Sequence, residues 1–199
     1  MSMRNPKLRR RVALEAARLI SEHGIRDFQL AKRKAAERLH AFDESGLPKN
    51  CEIEDALREH QRLFHGADQP HRLRALREAA CEAMRYFARL EPRLVGSVLD
   101  GTADAHSAVC LHLFCDTPEA VLAMLNDDDI SFEEDSRRLR IDLQYSRDFP
   151  VLRLHRSGVE FDLTLLPRDA IRQAPLDRSG EHPLQRAALA AVEGLLSEC

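Results

Sequence analysis

Apolar residues recur every three or four positions through the first 91 residues, which is the period of an amphipathic α-helix. Gly24 follows the first apolar stripe as a helix stop, and Asp27 is placed to cap the start of the next helix. The spacing predicts four helices, over about residues 6–23, 27–40, 52–64 and 71–90. The N-terminal part of the chain, residues 1–91, is therefore predicted to be a helical region.

The period changes after Pro92, where apolar and polar residues begin to alternate as they do in half-buried strands. Thr117 and Pro118 have the residue types of a helix start, and Pro183 is predicted to open a final helix. The alternation predicts strands over residues 93–98, 108–115, 139–145, 151–155 and 159–166. Helices followed by strands and further helices indicate an α+β fold, with a second region over residues 92–199.

Composition narrows the class of protein without naming an activity. The five cysteines are odd in number and scattered, and no CxxC pair occurs, which argues against a disulfide framework or a structural zinc knuckle. No apolar run approaches the roughly 20 residues of a membrane span, and no apolar segment follows the basic N-terminus as in a secretory signal. We expect a cytoplasmic protein with no membrane partner.

The net charge of −3 hides an asymmetry along the chain. Residues 1–40 have a net charge of +7, whereas residues 92–199 have a net charge of −8. A basic arm joined to an acidic body suggests an anionic partner for the arm, such as nucleic acid or the protein's own acidic half. The alternative is a pair of solvated helix faces.

One motif carries a resemblance to a known family. Leu94-Val95-Gly96-Ser97 is followed after ten residues by Ala108-Val109-Cys110-Leu111, with Ser107 just before the second segment. A later alternating segment, Val159–Leu163, contains Asp162. Residues 93–166 thereby resemble the nucleotidyltransferase superfamily typified by DNA polymerase β, in the order of their elements as well as in these residues.

The resemblance implies a site that binds a nucleoside triphosphate. In that family two metal ions clamp the triphosphate and activate an attacking hydroxyl, and the Gly-Ser turn lets backbone and hydroxyl groups approach the phosphates. Gly96, Ser97 and Ser107 match the phosphate-binding positions. Asp162 matches the third carboxylate, which in the family acts as a general base or a metal ligand.

The sequence departs from the family at the two positions that matter most for metal binding. Ala108 and Cys110 stand where the family has aspartates, and a thiol is a soft ligand poorly suited to Mg²⁺. Mg²⁺ would bind only if substitute ligands replaced those aspartates, and the candidates are Asp100, Asp104, His106 and His112. The sequence therefore assigns no metal ion with certainty. We expect a nucleotidyltransferase-like pseudoenzyme that binds nucleotide or nucleic acid.

Three alternatives remain open from the residues alone. A Cys110, His112 and Asp162 set could bind Zn²⁺, Cys110 could be a nucleophile with His112 as its partner, or the chain could be an ordinary α+β interaction protein. A structure should place Gly96, Cys110 and Asp162 around one cleft if the resemblance is meaningful.

A different class of function would use the basic N-terminal helices to bind nucleic acid. Its candidate phosphate contacts are Lys32, Arg33, Lys34 and Arg38, with a solvated helix face as the alternative. The acidic groups at residues 127–129 and 133–135 are expected in solvated turns. We expect the arginines that follow them to neutralise these acids, namely Arg137, Arg138 and Arg140.

Overall fold

The computed structural model divides the chain into two compact units, residues 1–70 with 104–106, and residues 71–103 with 107–199. The structure describes residues 6–23, 25, 27–41, 47–64, 69–104, 106–142, 144–177 and 182–197. The units divide at Pro70, whereas the hydrophobic period changes at Pro92, because the fourth helix packs in the core of the second unit.

The described residues of the first unit form three helices: α1 (Pro6–His23), α2 (Phe28–Arg38) and α3 (Asn50–Phe64). The carboxylate of Asp27 accepts the backbone N–H groups of Gln29 and Leu30 at 2.7 and 3.2 Å, so the predicted cap is confirmed. Helix α1 packs against α2 and α3. The interface is built largely from alanines and a few larger apolar side chains, which lets the helices approach closely.

The second unit is an α+β fold, as the sequence predicts. Its helices are α4 (Gln69–Tyr86), α5 (Ser97–Asp100), α6 (Pro118–Asp127) and α7 (Leu189–Ser197), and its strands are β1 (Arg93–Val95), β2 (Val109–Cys115), β3 (Glu133–Arg140), β4 (Ser146–Arg156) and β5 (Val159–Pro167). The strands form one mixed sheet in the order β1-β2-β5-β4-β3, in which β2 and β5 are parallel and the other pairs antiparallel.

The two faces of this sheet are used differently. Leu111 of β2 and Leu163 of β5 point into the main apolar core, where they pack with side chains such as Met84 of α4. The alternate residues of the same strands point to the opposite face, which we call the outer face. The outer face carries polar residues, among them His112 and Asp162, so it is the face on which the predicted site residues lie.

Two predicted strands are wrong in their extent. Strand β1 ends at Val95 because the chain turns at Gly96 and begins α5, so the strand does not reach Val98. The strand expected over residues 139–145 lies earlier, since the carboxylate of Asp142 accepts two backbone N–H groups and folds that segment into a turn. Strand β3 therefore includes residues 133–135, which were expected in a solvated turn.

The final helix begins at Leu189 and not at Pro183. The segment before it is extended, and Ala187 exchanges backbone hydrogen bonds of 2.9 Å with Leu94 of β1. This pairing holds Ala187 beside the edge of the sheet, whereas Pro183 pairs with Leu176. None of the helices in the described part of the chain is long and apolar enough to cross a membrane.

Candidate functional site

The strand register brings the predicted site residues to neighbouring positions. Val95 of β1 lies opposite Cys110 of β2, and Cys110 lies opposite Asp162 of β5. Gly96 follows Val95 directly in the chain. Three adjacent strands therefore place Val95, Cys110 and Asp162 side by side, at one level of the sheet.

The turn after β1 depends on glycine. Gly96 has φ 74° and ψ −154°, a region that is essentially restricted to glycine. Ser97 begins α5 directly after it, and Ser107 lies half-buried just before β2. The backbone at Gly96 is what ends the strand and turns the chain into α5.

The carboxylate of Asp162 is held by an arginine that comes from two strands away. Asp162 is 3 % exposed, and Arg137 of β3 donates from Nη1 to Oδ1 at 2.8 Å and from Nη2 to Oδ2 at 2.6 Å. The Nη1 atom also donates to Thr164 Oγ1 at 3.2 Å. Two parallel N–H···O bonds to one carboxylate are the strong and geometrically specific form of this ion pair.

The electrostatics of Arg137 follow from this pairing. Burial by itself would lower the pKa of Arg137, but the hydrogen bonds and the negative charge of Asp162 outweigh it and raise the pKa. The guanidinium is therefore firmly cationic, and it engages both carboxylate oxygens of Asp162.

A second ion pair lies beside the first. Arg153 of β4, which is the register partner of Asp162, donates from Nη2 to Asp135 of β3 at 2.6 Å. Arg137 forms its ion pair with Asp162 and not with the acidic group at residues 133–135, where Asp135 pairs with Arg153. The charge of Asp135 still contributes to raising the pKa of Arg137, after the contributions of Asp162. Acidic and basic residues share one face of β3, but the sequence of this strand alone does not indicate which partner each one takes. The partners depend on the register of β3, β4 and β5.

His112 lies in the same face but is not a suitable metal ligand. The side chain is 2 % exposed, and its Nδ1 atom has no hydrogen-bond partner among the described residues. Burial, followed by the charges of Arg186 and Arg137, lowers the pKa of His112 to about 3. The positive charges of Arg186 and Arg137 also disfavour a metal cation beside it.

Ala108 and Cys110, which stand where the resemblance expects aspartates, are not suitable ligands for Mg²⁺. Ala108 is buried and has no side-chain donor, and the half-buried Cys110 thiol donates to the Ala108 carbonyl oxygen at 3.7 Å. Both oxygens of Asp162 are engaged by Arg137. Within the part of the chain that the structure describes, no group of three or more His, Cys, Asp and Glu side chains could hold a metal ion.

The other substitute ligands lie outside the strands of the sheet. Asp100 is exposed at the last position of α5. Asp104 and His106 belong to the first compact unit, where an Asp104 carboxylate oxygen accepts the backbone N–H of His106 at 2.9 Å. Of the four candidates, only His112 therefore shares the outer face with Cys110 and Asp162.

The basic residues of α2 divide into two pairs. Lys32 donates from Nζ to Asn50 Oδ1 at 3.1 Å, and burial lowers its pKa. Arg38 is 2.9 Å from the carboxylate of Glu15, while Arg33 and Lys34 are exposed. Two of the four predicted phosphate contacts are thus engaged within the first unit.

Arg186 is a component of the outer face that the sequence did not indicate, because its segment was expected to be helical. Its guanidinium lies 5.4 Å from the centre of the Phe114 ring and donates to the carbonyl oxygens of Ala170 and Ile171 at 3.0 and 2.8 Å. Its position is set by the pairing of Ala187 with Leu94, a long-range contact that the local sequence does not indicate.

Comparison of the chain with protein-family models, with curated protein sequences and with solved structures finds no match.

Proposed function

We propose that this protein is a nucleotidyltransferase-like pseudoenzyme, which binds a nucleotide without a metal ion and does not transfer a nucleotidyl group. The observation that carries the proposal is the position of Arg137. Its guanidinium occupies both oxygens of Asp162, beside Cys110, at the place where the resemblance expects a metal ion.

The strand arrangement supports the resemblance on which this proposal rests. A short strand ends in Gly96 and Ser97, the next strand contains the degenerate positions, and a parallel strand contains the third carboxylate. Direct pairing of Cys110 with Asp162 is the relationship that a shared metal site would need. A register shifted by one residue would have put the two side chains on opposite faces of the sheet.

Loss of transfer follows from the ligands that are present. Two Mg²⁺ ions need several hard oxygen ligands in near-octahedral geometry. Ala108 offers none, Cys110 offers a soft sulfur, and Asp162 would have to give up a bidentate arginine to bind a cation. These side chains therefore do not bind the Mg²⁺ ions that would activate a hydroxyl and stabilise the charge on a leaving pyrophosphate.

Binding is retained in the proposal because Arg137 stays partly accessible, although Asp162 balances its charge. The Arg137 side chain keeps 36 % of its surface exposed, against 4 % for that of Asp162. A fixed guanidinium can donate hydrogen bonds to a phosphate group without the cost of assembling metal ligands. The predicted ligand is therefore a nucleotide that binds equally well with Mg²⁺ or with a chelator.

Calorimetric titration with ATP, CTP and UTP, each with Mg²⁺ and with EDTA, tests the proposal when it is combined with a pyrophosphate-release assay. We expect binding of at least one nucleotide, with a Kd that changes less than about threefold on chelation, and no pyrophosphate release. Micromolar binding that requires Mg²⁺ and is accompanied by turnover would contradict it.

The nucleic-acid alternative gives a different result in a second assay. If the basic helices carry the function, RNA or DNA should bind with an affinity that falls steeply with salt. That binding should weaken in an Arg33→Gln and Lys34→Gln double variant, because these two exposed residues keep their charges available. Binding of nucleic acid without nucleotide binding would favour this module over the pseudoenzyme.

A further inference from the structure

Positive charge accumulates around His112 without an equal number of carboxylates. Arg93 of β1 and Thr164 of β5 are the register partners of His112 on its two sides. Arg137 reaches this position from β3, since it donates to Thr164. Arg186 reaches it from the segment beside β1. The charges of Arg186 and Arg137 thus act on the buried imidazole, and that of Arg93 acts on Arg186.

The position of Arg186 follows from the strand pleat. Ala187 pairs with Leu94 and shares its core-facing side, so the preceding Arg186 faces the outer side, where it lies over Phe114. Phe114 is two residues beyond His112 on the same face of β2. The guanidinium is held there by the two carbonyl oxygens of Ala170 and Ile171.

The charges of this cluster are unequally compensated. Arg137 is neutralised by Asp162, but among the described residues Arg93 donates to the carbonyl oxygens of Glu91 and Pro92, each at 3.0 Å. Neither Arg93 nor Arg186 has a carboxylate within ion-pair distance among the described residues. Carbonyl groups orient a guanidinium without cancelling its charge. The cluster therefore contains two fixed cations in excess.

Burial makes this excess costly. Arg186 is half-buried, and its pKa is lowered by burial and then by the charge of Arg93. His112 contributes a buried Nδ1 atom with no partner among the described residues, although buried polar atoms are nearly always hydrogen-bonded. The excess positive charge is relieved by one kind of ligand, an oxyanion that supplies negative charge and acceptor oxygens.

We infer that Arg93 and Arg186 form a binding site for the phosphate end of a small molecule on the outer face, next to the buried His112. The planar forks of two arginines match the oxygens of a phosphate. This inference deepens the proposed function, on which it rests, by assigning the phosphate group of the nucleotide to residues outside the motif that carries the resemblance.

Titration of the full chain in EDTA with pyrophosphate, ATP and adenosine tests this site. We expect pyrophosphate and ATP to bind and to compete with each other, and adenosine to fail to compete. Arg93→Gln and Arg186→Gln should each weaken pyrophosphate binding about tenfold, which corresponds to the loss of one charge-assisted hydrogen-bonded contact. Arg186→Lys, which keeps the charge but loses the fork, should lie between the wild type and Arg186→Gln.

Arg89→Gln is the matched control, because Arg89 is an exposed arginine of the turn just before β1. Its pyrophosphate affinity should remain within about twofold of the wild type. Circular dichroism and thermal melting of each variant separate loss of binding from loss of folding, and Arg93→Gln provides an independent reading if Arg186→Gln unfolds.

Equal weakening in Arg89→Gln and Arg93→Gln would overturn the inference, because it would show only a general effect of net charge. Absence of pyrophosphate binding at about 10 mM would also overturn it. These outcomes are distinct from failure of the proposed function: Mg²⁺-dependent turnover would contradict the pseudoenzyme even if Arg93 and Arg186 bound phosphate, whereas ATP binding unaffected by the Arg93 and Arg186 variants would contradict only this site.

Discussion

Arg137 and Asp162 form a bidentate ion pair that spans strand β4, with nitrogen–oxygen distances of 2.8 and 2.6 Å. The intervening strand contributes Phe149 opposite Arg137 and Arg153 opposite Asp162. The carboxylate that the resemblance assigns to chemistry is thus a structural anion whose charge is cancelled inside the fold. Removing the cation alone would leave a nearly fully buried charge without a partner.

Arg137→Gln is therefore expected to lower the free energy of unfolding by about 3 kcal/mol, toward the lower end for breaking a buried pair, because Arg137 itself is partly exposed. Urea denaturation at neutral pH measures this difference. Asp162→Asn in the same background should recover most of the loss, since it removes the stranded charge. A double variant as unstable as Arg137→Gln alone would contradict this explanation.

Arg138→Gln is the matched control for that experiment. Arg138 is the next residue of β3, faces the other side of the sheet and approaches Asp148 at 3.9 Å with both side chains largely exposed. Exposed pairs of this kind contribute little to stability. The control should change the free energy of unfolding by less than about 0.5 kcal/mol.

A metal site should appear when the two obstacles to it are removed together. Cys110 is half-buried and directly opposite Asp162, so Cys110→Asp combined with Arg137→Gln creates two facing carboxylates without a competing guanidinium. We expect this double variant to bind Mn²⁺ or Mg²⁺ at least about tenfold more tightly than the wild type, because hard cations require such oxygen ligands. Calorimetry, or Mn²⁺ relaxation enhancement, measures the gain.

Cys110→Asp alone is the control, since Arg137 is then still present and can pair with either carboxylate. Its metal affinity should stay close to that of the wild type. If the double variant also binds no more tightly than the wild type, the pairing of Cys110 with Asp162 is not the remnant of a metal site, and the resemblance loses its main structural support.

The buried His112 makes stability depend on pH between neutrality and mild acid. The pKa of His112 is about 3 in the folded protein, against 6.5 for the ordinary group. Between these two pH values, the unfolded chain therefore binds a proton at His112 and the native state does not. This contribution to stability is complete above pH 6.5 and is lost progressively as the pH falls toward 3. Acidification from pH 7.5 to 5.0 should cost about 2 kcal/mol through this residue.

Urea denaturation of the wild type and of His112→Gln at the two pH values isolates that contribution, because the other histidines are common to both proteins. The variant should lose about 2 kcal/mol less than the wild type over the same interval. Equal losses would mean that the imidazole is protonated without cost in the native state, which would contradict its buried and cationic surroundings.

Local patterns in the sequence predicted the elements whose residues interact within a few turns. Helix α1 has the predicted bounds, and the cap at Asp27 is present, because both depend on neighbours close in the chain. The segment before α7 was mispredicted for the opposite reason. Its apolar residues have helical spacing, but Ala187 pairs with Leu94, which lies 93 positions earlier. A long-range backbone pairing outweighed a weak local preference.

The candidate site was predictable in its positions but not in its partners. Motif spacing placed Cys110 and Asp162 on different strands, and parallel pairing of those strands brings them together. Nothing local connects Arg137 to Asp162, because the contact needs the register of β3, β4 and β5 at once. The sequence of β3 alone therefore predicts that Arg137 neutralises the acidic residues of its own strand, whereas its ion pair is with Asp162 of β5.

The turn that ends β1 yields the last prediction, because its backbone is permitted only to glycine. Gly96 has φ 74° and ψ −154°, and a Cβ added there would meet no atom within 4 Å. Any loss in Gly96→Ala is therefore backbone strain and not a clash, and we expect about 1–3 kcal/mol.

Gly194 supplies the matched control, since it lies in helix α7 and a Cβ there also meets no atom within 4 Å. Its helical backbone suits alanine, so Gly194→Ala should be neutral or should stabilise the protein by up to about 1 kcal/mol. Opposite signs for the two substitutions in urea denaturation would establish that the glycine at position 96 is required by the turn. Equal effects would mean that the chain can leave β1 by another path, in which case Gly96 has no special part in shaping the outer face.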